Sequence, residues 1–289
     1  MKNAPLRHAL EASVLLPFYG LVRTLPHGAS RGLGAALGAV AGFADRRRRR
    51  TAFENLALAL PERAADHRRI VASCFRHFGA SFCDALSSLR FPAEEIRSRV
   101  ERVGFENLAA AAGDGCGTIV LGSHFGNSEM VPASIALEIG PISAVGRRAD
   151  NPYFERIVQR LRTRFGNSAL DKRGSVREMF RVLERGGRLG LLIDQRVRAA
   201  EAIEVPFFGH PALTSPIVAR LSARTGAAVV PVFGEELPGG RYRVEALAPV
   251  VPRPGEDDVA LTGRYLETLE ARVRARPELW LWLHRRWKR

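Results

Sequence analysis

Lysine is almost missing: of 44 basic residues only Lys2, Lys172 and Lys288 are not arginine. The positive charge therefore sits on guanidinium forks, which suit bidentate recognition of phosphate or carboxylate; a GC-rich genome produces the same skew. Cysteine is scarce as well. Cys74, Cys83 and Cys116 form no CxxC pair and have no histidine at ligand spacing nearby. That excludes a disulfide framework and a structural zinc, and it fits a reducing compartment. Long hydrophobic runs are absent too. Residues 12–22 carry no formal charge until Arg23, and residues 32–44 are short and glycine-rich. Both fall below the roughly 18–20 apolar residues of a spanning helix, and no small-residue cleavage site marks a signal peptide.

With 46% apolar residues the chain is not disordered, and a net charge of +14 calls for an anionic partner. Residues 1–44 read as two or three short helices, broken at Pro17 and Pro26, that pack or lie in a membrane interface. "DRRRRR", Asp45 to Arg50, follows. Beside apolar helices such a run is a solvated face or a basic collar for anionic headgroups, at about 1 kcal/mol per residue. It lacks the interleaved aromatics of a nucleic-acid patch, and no nucleic-acid partner is expected. Residues 45–113 form a helical lead-in, since "HRRIVASCFRHFGASFCDAL" keeps apolar residues at three- and four-residue spacing.

From residue 118 strands alternate with helices. Strand-like runs fall at "TIVLG", 142–146, 188–194, 202–208, 227–233 and 242–247, with helical patterns at 151–165, 174–186 and 215–225. The fold class is α/β, a mostly parallel central sheet flanked by helices, over a core of 114–289. In such sheets sites gather beyond the carboxyl ends of strands.

His124 lies beyond such an end, and Glu129 follows five residues later in "TIVLGSHFGNSEM". On one continuous helix the two would diverge by about 140°. With His124 in the turn and Glu129 in the first helical turn, the carboxylate can fold back onto the imidazole and fix its tautomer. No serine or cysteine nucleophile motif accompanies the pair, which suits a general base acting on a substrate hydroxyl. The plain alternative is capping or surface hydrogen bonding.

Four further stretches accompany it in order: "GRRADNPYFERIVQRLRTRFGN", "RGGRLGLLIDQ", "VPFFGHPALTSP" and "PELWLWLHRRWKR". Together the five resemble the bacterial lipid A late acyltransferases, the lauroyl and myristoyl transferases of the lysophospholipid acyltransferase superfamily. The likeness runs from the arginine run to the last residue. It implies a glycerolipid acyltransferase-like fold behind a membrane-associating segment at 1–44. The implied reaction moves a fatty acyl chain from acyl carrier protein to a hydroxyl of a lipid A precursor, or of another glycolipid or phospholipid. Acyl carrier protein is then a co-substrate, anionic inner-membrane lipids are partners, and no cofactor or metal is needed. The place is the cytoplasmic face of the bacterial inner membrane.

The family's H-x4-D/E pair falls on His124 as base and Glu129 as its orienter. By resemblance Arg147 binds phosphate or steadies an oxyanion, its alternative being a surface arginine, and Arg164 matches a second recurrent arginine, functional or in a structural ion pair. Asp194 and Gln195 match the family's "DQ", while Phe207, Phe208 and Thr214 are assigned to a groove wall or plain packing. One departure stands out. The family often has tryptophan in "HFGNWE", where this chain has Ser128. The terminal tryptophans beside cations read as interfacial, or equally as packed on the core.

Overall fold

The computed structural model describes residues 4–113, 115–172 and 174–288. In chain order the elements are α1 (Ala4–Thr24), α2 (His27–Ala44), α3 (Arg46–Ala59), α4 (His67–Ser88), α5 (Ala93–Arg99), β1 (Val100–Val103), α6 (Phe105–Gly113), β2 (Thr118–Gly122), α7 (Met130–Glu138), β3 (Ile142–Gly146), α8 (Pro152–Arg162), β4 (Ser168–Asp171), α9 (Val176–Glu184), β5 (Arg188–Leu192), β6 (Ile203–Phe207), β7 (His210–Thr214), α10 (Ile217–Thr225), β8 (Ala228–Leu237), β9 (Arg241–Ala246) and α11 (Asp258–Ala275).

The sheet order is β1-β9-β8-β2-β5-β3-β4. Within this sheet, among the described residues, only β8 and β9 pair antiparallel, across a tight connection at Pro238–Gly240. The central strands read as near-continuous apolar runs because both faces are covered. Alternation along β2 sends Ile119 and Leu121 to one core, with Leu189 and Leu191. It sends Val120 to the other, with Val230 and Val232. The parallel α/β expectation is borne out. Residues 100–103 correct the reading of 45–113 as a helical lead-in, because "VERV" joins the sheet edge through β9. Four residues are too few for a period to show. The strand expected at 202–208 forms a separate hairpin, β6–β7, outside the main sheet.

At the amino end Pro26 separates two helices, but Pro17 lies within α1 and does not end it. Among the described residues no helix is long and apolar enough to cross a membrane. The outer faces are nonetheless apolar: Leu6, Leu10, Val14, Val40 and Phe43 are exposed. On its inner face α2 lies directly on α4. Gly38 stands against the backbone of Phe75, where a Cβ would not fit.

A buried polar network also fastens α2. Asp84 of α4 is fully buried and accepts from Arg31 Nη1 at 2.9 Å, from Asn127 Nδ2 at 2.9 Å, and from Tyr242 and His27. Arg31 reaches on to Glu236 at 2.5 Å. Burial works against ionised Glu236, but His77 and Arg31 outweigh it and hold the carboxyl down at about 2. Asp84→Ala would leave Arg31 short of an acceptor and three further donors unmet. A loss of about 3–5 kcal/mol in chemical unfolding is expected, and a change under 1 kcal/mol would show the network to be incidental.

Candidate active site

The parallel register places two acidic and basic groups side by side. Gly122 of β2 pairs with Leu192 of β5. Two residues further along each strand come His124 and Asp194, level with each other past the carboxyl edge. Asp194 Oδ1 lies 2.9 Å from His124 Nδ1, and Asp194 Oδ2 accepts the His124 backbone N–H at 2.8 Å. The Trp280 indole N–H donates to the same Oδ2 at 3.0 Å. With Nδ1–H given to the carboxylate, Nε2 keeps its lone pair, and the Gln195 side-chain nitrogen stands 3.2 Å from it.

The turn that carries the histidine is fixed from several sides. Gly126 has φ +59° and its N–H donates to Leu279 O at 2.8 Å. A side chain at that residue would run into the Gly234 carbonyl, so only glycine fits. Leu281 N–H donates to His124 O at 3.1 Å, and Asn127 joins the turn to buried Asp84. The terminal stretch is thus packed against the site, and Trp280 and Trp282 are buried. Of its two readings, the core one holds.

Electrostatics follow from this geometry. Burial disfavours the imidazolium, but the charge and hydrogen bond of Asp194, with Glu129 behind, outweigh burial and raise the His124 pKa above 6.5. The same contacts overcome burial at Asp194 and lower its pKa below 3.8. Glu129 is the opposite case. Burial raises its pKa, and Arg162 and His124 only partly offset this.

Glu129 therefore does not hold the imidazole in this structure. It accepts no hydrogen bond from His124 among the described residues, and Asp194 has the Nδ1 position instead. The reason is local: Glu129 caps α7 in helical conformation, whereas Asp194 arrives level with His124 on the neighbouring strand. Glu129 faces a mainly apolar slot enclosing about 830 Å³ of free space, solvent mouth included. Gly122, Ala144 and Gly190 keep its sheet side open, Ser128 lines it where an indole would intrude, and Arg162 lines it as well.

The other expected residues scatter. Arg147 is exposed and pairs with Asp150 at 2.6 Å. Arg164 gives its guanidinium to the carbonyls of Ser88, at 2.6 Å, and Phe91, so in this structure it ties α4 to the loop after α8. Burial lowers its pKa. Phe207 and Phe208 pack with Trp280, Trp282 and Trp287 inside the core, away from the slot. Thr214 is fully buried and accepts from Arg286 Nη2 at 2.6 Å. These three form no groove wall, because the β6–β7 hairpin turns them inward. Sequence reasoning assigned no site role to Arg162, Trp280, Asn127 or Asp84. Arg162, Trp280 and Asn127 lay inside the stretches that carry the family likeness, but no spacing in them pointed to these side chains.

A model described as bacterial lipid A biosynthesis acyltransferase matches residues 3–289. The chain is 27% identical to a lipid A biosynthesis lauroyltransferase of Escherichia coli (strain K12), over 93% of this chain and 88% of that one. It is 26% identical to a phosphatidylinositol mannoside acyltransferase of Mycobacterium tuberculosis, over 67% of this chain and 62% of that one. A crystal structure of a Thermotoga maritima 1-acyl-sn-glycerophosphate acyltransferase, PlsC, superposes with a TM-score of 0.39 at 17% identity, covering 76% of this chain and 95% of that one.

Proposed function

The chain belongs to the bacterial lipid A biosynthesis acyltransferase family and is an acyltransferase, and from that premise we propose that it moves a fatty acyl chain from acyl carrier protein to a hydroxyl of a lipid A precursor. The observation that carries this reading is the Asp194–His124 pair, with the chain neighbours of His124, Ser123 and Phe125, lining an apolar slot beside it. His124 Nε2 takes the proton of the acceptor hydroxyl as its oxygen attacks the thioester carbonyl. The tetrahedral adduct then expels the carrier thiolate, which recovers the proton from the imidazolium. No acyl-enzyme forms. Gln195 holds Nε2 until the hydroxyl replaces it; Asp194 keeps the lone pair on Nε2 before proton transfer and stabilises the imidazolium after it.

The slot between β2, β3, β5 and α7 has an apolar lining that suits the acyl chain. The exposed apolar faces of α1 and α2, beside five successive arginines, suit peripheral binding to the cytoplasmic face of the inner membrane. A second acceptor class has its own support, since one relative bears the name of a phosphatidylinositol mannoside acyltransferase.

The test is an acyl-transfer assay in detergent micelles, with acyl carrier proteins of graded chain length and a Kdo-bearing lipid A precursor. Transfer by the wild type is expected. Ala144→Phe, which fills the slot, is expected to cut kcat/KM for long chains by about fourfold per excluded methylene, at about 0.8 kcal/mol each, and to spare short ones. Folded protein that transfers to no lipid hydroxyl would remove the reading. An unchanged chain-length profile would remove the slot from it.

A further inference from the structure

A second concavity lies between α3 and the end of the chain. It encloses about 1220 Å³ of free space, solvent mouth included, and is lined by Arg46, Arg47, Arg50, Arg285, Lys288 and Trp287. Glu54 is the single carboxylate on its wall, and it is taken up by Arg50 at 2.7 Å. Arg46, Arg47, Arg285 and Lys288 make no ion pair among the described residues. The amino end of α3, a helix of 14 residues, is capped by Asp45, which accepts the Arg48 backbone N–H at 2.9 Å and pairs with the Arg48 side chain, so the cleft's charge is that of its side chains.

The cleft is built, not draped. Asn55 of α3 is buried and donates to the carbonyls of Trp282 at 2.8 Å and His284 at 2.7 Å, which locks the helix to the terminal segment. Arg196 Nε donates to Lys288 O at 2.9 Å. Arg196 is two residues past Asp194, so chain reach puts this wall within about 15–20 Å of the His124 pair. Holding unpaired like charges together is unfavourable until an anion enters. Guanidinium forks match phosphate oxygens two at a time. A concave cleft with one aromatic wall fits a compact headgroup better than the convex surface of a protein.

We propose that this cleft binds a phosphomonoester on the headgroup of the lipid acceptor, anchoring it while a hydroxyl on the same headgroup reaches His124. The proposal rests on the acyltransferase reading above and assigns a second contact to that acceptor.

The test compares wild type with Arg46→Gln/Arg47→Gln/Arg285→Gln, all exposed positions, in neutral detergent micelles. The acceptor is the lipid A precursor before and after phosphatase treatment. The triple variant is expected to raise KM for the phosphorylated acceptor about 10–100-fold, the loss of one or two charge-assisted hydrogen bonds. Its kcat stays within about twofold and its KM for the dephosphorylated acceptor stays at the wild-type value. Equal KM for both proteins on the phosphorylated acceptor, or an equal rise on both acceptors, overturns the proposal. So does a loss confined to binding of phosphatidylglycerol vesicles, which would assign the cleft to the bilayer. If the wild type transfers to neither acceptor, the acceptor reading has failed and inorganic phosphate decides the cleft by calorimetric titration. Saturation in the wild type but not in the variant keeps it; no saturation in either removes it. Matching unfolding curves for the two proteins exclude a folding defect.

Discussion

Replacing His124 with alanine lowers kcat for acyl transfer by roughly 10²- to 10⁴-fold, the range typical of a lost general base, while the protein stays folded. The side chain is 30% exposed, so little packing is lost, and Asp194 keeps the His124 backbone N–H and the Trp280 indole as donors. A variant that transfers at the wild-type rate would end the assignment of the base. The pH profile of the wild type gives an independent reading. The base must be neutral, and the His124 pKa is raised because Asp194 and Glu129 outweigh burial. The acid limb of kcat/KM is therefore expected above pH 6.5, with unit slope. The stability signs differ for the two partners. The raised imidazole contributes fully below about pH 6.5 and loses that contribution as pH rises through its folded value. The depressed Asp194 contributes above about pH 3.8 and loses it as pH falls.

The second large effect separates two carboxylates. Asp194→Asn is expected to cost roughly 10²- to 10⁴-fold in kcat, comparable with loss of the acid in serine hydrolase triads. The mechanism is tautomeric. The His124 N–H and the Trp280 indole both need an acceptor, so the asparagine oxygen turns to them and its NH₂ faces Nδ1. Nδ1 must then accept, the proton moves to Nε2, and the base is gone. Whatever activity remains should show an acid limb at lower pH, since the charge that raised the imidazole has been removed. Glu129→Gln keeps the Nδ1 contact and removes only a more distant charge. A loss of about tenfold or less is expected for it, with a small downward move of the limb. If Glu129→Gln were the more damaging of the two, with Asp194→Asn near wild type, the roles drawn from the geometry would be reversed.

These two predictions mark where reading the sequence stopped. His124 was legible because an apolar run ends on it, and Glu129 because it lies nearby in the chain. Asp194 was visible as a polar residue closing a buried strand, but its partner lies 70 positions away. No local spacing encodes which strand lies beside which. The arginines show the same limit. Arg147 and Arg164 matched by position, yet one is drawn off to Asp150 and the other to two carbonyls of α4 and its following turn. Arg162, which looked like one more charge on a helix, lines the slot with Glu129 and acts electrostatically on it.

Sequence alone determined the α/β class and the family and singled out the histidine, because each is written in short-range patterns of polarity and in motifs that keep their order. Tertiary structure decided the rest. The β2–β5 register chose the acid, the β6–β7 hairpin turned Phe207, Phe208 and Thr214 into the core, and Asn55 brought the arginine run against the chain's end to make a cleft. Each of these depends on contacts between residues far apart in the chain, which only the packing of the whole sheet and its helices specifies.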